Sequence, residues 1–298
     1  MSNRRNLICL TVSCTLAFAT LQTAHGAEKT PAALAAAAEA GNADAQFLLG
    51  RAYLRGEGMP VDYTQALALM QKAAAQGHAE AEAGLGYLYS EGLGVKKDER
   101  LAVEWLKKGA AKGSAKAQFN LGRMLLAGRG VPKDEKEAFE WVQRASDQGM
   151  VEAYVLLGEA FYFGDHGQPQ NYDRAYALLL KAAEAGHANS QNTVGMMLRD
   201  GHGVKLDWEK AEAWFRKATE QGYSKGQSNL GLLLAGQPKD RASKIEALKW
   251  LMVADQRGEI TAKKALEELL EKTPEADAAE ARQQAMKVAR TAKPPAAP

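Results

Sequence analysis

Between residues 42 and 258, small and apolar residues recur with the spacing of an amphipathic helix, and the whole arrangement then repeats. Gly41, Gly77, Gly113, Gly149, Gly186, Gly222 and Gly258 mark the period, at intervals of 36, 36, 36, 37, 36 and 36 residues. A constant period over most of a chain denotes an array of one supersecondary unit, not a single globule. Nine residues after the marker, six units carry a second glycine: Gly50, Gly86, Gly122, Gly158, Gly195 and Gly231. An aliphatic residue precedes each one, and a small residue, Ala45, Ala81, Ala117, Ala153, Ser190 or Gly226, stands five positions before the glycine. This spacing predicts a first helix. A glycine inside it costs about 1 kcal/mol against alanine, so its recurrence predicts close backbone approach between helices.

A glycine-rich turn follows, as in Gly56-Glu57-Gly58, Gly92-Leu93-Gly94, Gly128-Arg129-Gly130 and Gly201-His202-Gly203. Asp62, Asp98, Asp134, Asn171, Asp207 and Ser243 then stand at equivalent positions and are N-cap residue types. Asp134 with Glu137, and Ser243 with Glu246, have capping-box spacing. The second helix carries a fixed alanine (Ala66, Ala102, Ala138, Ala175, Ala211, Ala247). Three residues on stands a bulky residue: Leu69, Trp105, Trp141, Leu178, Trp214 or Trp250. Small and large residues in that register are read as complementary core elements.

The pattern resembles the Sel-one-like repeat family, the longer relative of the tetratricopeptide repeat. The resemblance is carried by Ala117-Gln118-Phe119-Asn120-Leu121-Gly122, by Gly128-Arg129-Gly130-Val131 with Asp134, and by Glu140-Trp141 running to Gln148-Gly149. It covers residues 42–258 as six units. Two units depart in their loops: the fourth has one extra residue within 164–170, and the sixth has Gly236-Gln237-Pro238 in place of the Gly-x-Gly turn. The fold class is therefore all-α: an α/α solenoid, with the resemblance implying a right-handed superhelix, built from six helix–turn–helix repeats between terminal capping helices. An N-terminal capping helix is expected within 27–41. Residues 259–292 are read as a partial seventh repeat (Ala262 to Lys272) plus a polar closing helix (Glu275 to Arg290), and residues 293–298 as a disordered tail.

The first 26 residues differ in kind. Arg4 and Arg5 precede an uncharged run from Leu7 to Leu21, and Ala24-His25-Gly26 supplies small residues at a cleavage site before Ala27. This reads as an export signal cleaved after Gly26, the uncharged run being shorter than a membrane span of about 20 residues. The expected location is the periplasm or the medium, with no stable membrane insertion after cleavage. Both cysteines, Cys9 and Cys14, fall in this segment, so the remainder has no disulfide or thiolate chemistry. Without the two arginines the chain holds 36 basic and 36 acidic residues. Neutrality argues against nucleic-acid binding, which requires a strongly basic face.

No phosphate loop, nucleophile elbow, zinc-protease motif or dinucleotide fingerprint occurs. No catalytic residue, cofactor or metal is assigned, and the chain is read as a non-enzyme. His78 and His187 follow marker glycines and are read as exposed residues at helix starts. His166 and His202, beside Asp165 and Asp200 in loops of adjacent units, are too far apart at a repeat spacing of ~10 Å to be supported as metal ligands. In the related tetratricopeptide family ligands lie along the first helices, at positions flanking the helical glycine. Carried over, the resemblance implies a partner-binding set of Phe47, Arg51, Tyr87, Phe119, Arg123, Tyr162 and Arg199. Tyr and Arg are the residue types enriched at binding hot spots; Phe47 and Phe119 are read equally well as core. The functional expectation is an exported scaffold or adaptor for a protein or peptide partner in a concave groove, in envelope assembly, polysaccharide export or sensor regulation. The alternative is a cell-wall or polysaccharide binding module, with glycans stacking on Tyr87 and Tyr162; a hydrolase ranks below both.

Overall fold

The computed structural model describes residues 31–291; the export-signal reading and the tail lie outside the described residues. Fifteen α-helices and no strand occur among the described residues. They are α1 (Pro31–Glu39), α2 (Ala43–Arg55), α3 (Tyr63–Ala75), α4 (Ala79–Glu91), α5 (Glu99–Ala111), α6 (Ala115–Ala127), α7 (Glu135–Asp147), α8 (Val151–Phe163), α9 (Tyr172–Glu184), α10 (Ala188–Asp200), α11 (Trp208–Glu220), α12 (Ser224–Gly236), α13 (Arg241–Gln256), α14 (Ile260–Leu270) and α15 (Glu275–Thr291). The chain forms two compact units, divided between Gln148 and Gly149. The first holds α1 to α7 and the second α8 to α15; in each, consecutive helices pair antiparallel and the pairs stack.

Helix boundaries follow the caps. Asp62, Asp98, Asp134, Asn171 and Asp207 each accept backbone N–H bonds two or three residues on, starting the second helices. First helices are capped in the same way by Asn42, His78, Ser114 and His187. The two histidines are thus half-buried caps, not exposed residues: each Nδ1 accepts a backbone N–H, from Ala81 and from Ser190. Two expected capping boxes do not form. Asp134 accepts the Glu137 N–H, but the Glu137 carboxylate turns to the Trp141 indole N–H at 3.1 Å. In the sixth repeat the helix starts three residues before the expected cap: Asp240 caps it and Ser243 is the reciprocal partner.

The core rests on a recurring contact between the two helices of a repeat. The fixed alanines are all fully buried, and so is the residue four positions on: Met70, Leu106, Val142, Leu179, Phe215 and Leu251. Each of these packs on the helical glycine of its own repeat. A Cβ placed on Gly50, Gly86, Gly122, Gly158, Gly195 or Gly231 would lie only 2.5–3.2 Å from that side chain. The expected bulky anchor three residues after the alanine is corrected accordingly. Trp105, Trp141, Trp214 and Trp250 are half-buried. Each indole face is covered by Lys108, Arg144, Lys217 or Lys249 at 4.0–4.4 Å from the ring centroid. At 100° per residue the fourth position, not the third, points at the facing helix, and the third straddles the rim where a cation can snorkel over it.

A polar layer joins repeat to repeat. Gln46, Gln118 and Gln191 are buried and donate Nε2 to the carbonyls of Ala38, Ala110 and Ala183 in the preceding helix at 3.0–3.2 Å. Their Oε1 atoms accept from Gln76, Gln148 and Gln221, 30 residues on, at 2.7–2.9 Å. Glu82 and Lys112 replace this amide pair by an ion pair in the second repeat. The loops interlock as well: Gly130, at φ 69°, lies so close to the Glu99 carbonyl that no Cβ fits.

Two expectations test this account. Gly122→Ala puts a Cβ 2.5 Å from Val142 Cγ2 and 2.9 Å from the Ala138 carbonyl, and should cost about 1–3 kcal/mol in urea unfolding. Gly236→Ala, with nothing within 4 Å, should be neutral or mildly stabilising; equal losses in both would remove the close-approach explanation. The second concerns Glu246, which accepts two bonds from Arg216 at 2.8 and 2.9 Å and the Trp250 indole N–H at 3.1 Å. Arg216 foremost lowers its carboxyl from 4.5 to about 2, against the opposing effect of burial. A lowered folded value means stabilisation present in full above the unfolded value and lost as pH falls toward 2. Glu246→Gln should therefore lower the thermal midpoint at pH 7 and lower it far less at pH 2, where most of the stabilisation is already lost.

Candidate functional site

In the unit spanning residues 31–148, the first helices α2, α4 and α6 lie side by side. Phe47 on α2 is half-buried and stacks on the His78 ring, centroids 4.7 Å apart and planes 28° apart. His78 is held from both sides. Its Nδ1 accepts the Ala81 N–H, which leaves Nε2 facing the Asp44 carboxylate at 3.2 Å. One turn after Phe47, the Arg51 guanidinium lies 6.0 Å from the Phe47 ring centroid. Tyr87, on α4, is exposed at 44%. Phe47, Arg51 and Tyr87 all line one recess of about 330 Å³.

Phe119 and Arg123 on α6 separate. Phe119 is buried at 8% exposure, so it is a core residue and its place in the partner-binding set is withdrawn. The position three before the helical glycine faces the adjacent repeat: Ala83, Asn192 and Ser228 are buried there too. Arg123 is exposed, with its guanidinium 5.9 Å from the Phe119 centroid. The outward row is therefore the position just after the glycine, where Arg51, Tyr87 and Arg123 sit.

The unit spanning residues 149–291 contains Tyr162 and Arg199. Tyr162 is half-buried, edge-on to Phe163 (5.0 Å) and to Tyr172 (5.4 Å); burial, first, pushes its phenol pKa up. Arg199 makes a two-point bond to its neighbour Asp200, 2.7 Å at each contact, and this holds the Asp200 carboxyl below its ordinary value. These two residues are engaged within their own unit more tightly than Arg51, whose nearest carboxylate, on Glu57, lies 3.8 Å away. His202 stacks flat on Tyr172 at 4.5 Å and 5°. Among the described residues no group of three metal-ligating side chains converges. No helix among them is long and apolar enough to cross a membrane.

Sequence reasoning missed two features, one in each unit. One is Phe163, 66% exposed at the end of α8 beside the lengthened loop. The other is Gly84, a glycine out of step with the repeat, which lines the recess. Its signal was present in the sequence as an unexplained mid-helix glycine.

Stacked helix pairs with a uniform packing face and a variable outward row define a helical-repeat scaffold. Sel1 repeats match residues 43–78, 79–114, 115–150, 151–187, 188–223 and 224–251, and the chain belongs to the Sel1 repeat family. It is similar to a protective antigen of uropathogenic Escherichia coli with an SLR fold: 30% identity, TM-score 0.73, covering 85% of this chain and 56% of that one. This chain thus spans little more than half of that relative. It is also similar to a Sel1 repeat protein of Oxalobacter formigenes: 29% identity, TM-score 0.65, covering 77% of this chain and 91% of that one. No curated protein matches the chain. Sel1 repeat proteins are in general helical-repeat scaffolds for protein interaction.

Proposed function

We propose that this chain is an exported, non-catalytic adaptor that holds a protein or peptide partner on the first-helix face of residues 31–148. The observation that carries the reading is the row after the helical glycine, where Arg51 and Tyr87 line the recess and Arg123 holds the equivalent position on α6, at half to full exposure, while the packing rows around them are uniform. Residues free of a packing duty and differing from repeat to repeat are those available for recognition. Tyr162 and Arg199 form a lesser part of the same proposal, since their own unit already occupies them. Export rests on the sequence of residues 1–26, with its paired arginines, uncharged run and small residues before Ala27. Envelope assembly, polysaccharide export and sensor regulation are the settings in which such an adaptor acts.

The test is crosslinking in intact cell envelopes followed by mass spectrometry, with Tyr87→Ala plus Arg123→Ala as comparison. One dominant protein partner is expected, lost in the double variant while helicity and melting stay unchanged. A partner retained by the folded double variant refutes the assignment to this face. Retention on polysaccharide or cell-wall fractions with no protein partner moves the function to glycan binding.

A further inference from the structure

The recess between α2, α4 and α6 is lined by two departures from the repeat. Gly84 occupies a position that the other repeats fill with Leu48, Asn120, Leu156, Thr193 or Asn229. It is not one of the glycines that receive the facing helix, and in mid-helix it costs about 1 kcal/mol against alanine. Its use is visible in the structure: the Met70 Sδ fills the space a side chain at 84 would take, so a Cβ there would have to displace the Met70 side chain. Met70 is itself the departure from Leu106, Val142, Leu179, Phe215 and Leu251 at the same register. The floor of the recess is thus a bare stretch of helix backbone, a thioether that adapts its shape, and the side chains of Phe47 and Leu54. At about 330 Å³ it lies at the small end of ligand pockets, which run from ~300 to ~1,000 Å³. That suits one large apolar side chain with its flanking chain.

The rim is cationic. Arg51, Arg55 and Lys116 line it with one lining acid, Glu80, 3.8 Å from Lys116, while Glu57, outside the lining, accepts a bond from Arg55 at 3.3 Å. Arg51 stands apart from the other arginines of the chain that meet acids. Arg129, Arg199, Arg216 and Arg241 each make at least two hydrogen bonds, and Arg55 and Arg282 make one each, to Glu57 and Glu275. The Arg51 Nε is buried and has none, and the nearest carboxylate oxygen, on Glu57, is 3.8 Å away, beyond hydrogen-bonding reach. A buried guanidinium N–H without an acceptor is costly, and a carboxylate brought to the rim would draw the fork into a two-point bond.

We propose that this recess takes a bulky apolar side chain from a partner segment that carries carboxylates beside that residue, the apolar group on Met70 and Gly84 and the acids on Arg51, Arg55 and Lys116. The inference rests on the reading of this face as the partner site and specifies what the face recognises. Charge complementarity sets the orientation and selects against basic segments; the recess supplies the anchor.

Selection of a random peptide library against the full chain tests it. The enriched peptides should share a Leu, Met or Phe with Asp or Glu within a few positions. Synthetic versions should lose about tenfold or more in affinity when the apolar residue becomes Ser, and a similar factor against Arg51→Glu/Lys116→Glu. Arg55→Glu/Lys116→Glu changes only exposed side chains and should weaken binding in the same direction, which guards against misfolding of the first variant. Failure to enrich any sequence, enrichment without an acidic bias, or affinity indifferent to both folded variants overturns the proposal. If the envelope crosslink is lost in Tyr87→Ala/Arg123→Ala while the library shows no acidic bias, this inference fails and the partner site stands; if the crosslink survives, the site itself is wrong.

Discussion

The contact between a helical glycine and the residue four positions after the fixed alanine sets the distance between the two helices of every repeat. Because the glycine has no Cβ, the facing side chain lies directly against backbone, and the alanine carbonyl comes near as well, at 2.9 Å from a Cβ built on Gly122. The facing residue varies in shape, from Val142 to Phe215, yet is always fully buried. The tolerance has a simple cause: the glycine offers a smooth concave seat, so the partner needs to be apolar and of moderate size, not of one form. With spacing set in this way, neighbouring repeats present the same register, and the glutamine pairs and loop contacts recur with it.

That arrangement separates the duties of residues along a first helix. Positions five before and one before the glycine pack inside the repeat, and the position three before it packs against the adjacent repeat. The position just after it is half-buried or exposed in every repeat, and most exposed at Tyr87 and Arg123. Rigidity is supplied by buried amides that are hydrogen-bonded on both sides, which makes slippage between repeats costly. A rigid frame with a short, variable outward row suits recognition of an extended partner, because little order has to be created on binding. The recess around Gly84 deepens that row where the repeat pattern is relaxed.

Much of this was legible from residue order, and the failures have physical reasons. Asp62, Asp98, Asn171 and Asp207 were readable as caps because capping depends on a local hydrogen bond. Ser243 misled because the sixth loop lacks its glycine turn, and Asp240, one turn earlier, captured the helix start. Spacing leaves Phe119 open between core and surface, and reads the half-buried tryptophans as core, for a different reason. Periodicity gives the direction of a side chain around its own helix; how far that direction is covered depends on where the next helix crosses. Thus Phe119 is closed over by the adjacent repeat while Arg123, one turn on, is not.

The sequence by itself determined the period, the existence and order of the helices, the all-α class and the glycine close approach, since each of these is written in local spacing and residue type. Tertiary structure alone decided which of two adjacent bulky positions is core, that His78 is a cap held between Ala81 and Asp44, and that Gln118 bonds Ala110 on one side and Gln148 on the other. It also decided that Gly84, Met70 and Arg51, far apart in the chain's spacing pattern, meet at one recess. Those outcomes depend on distances between helices that no single helix encodes.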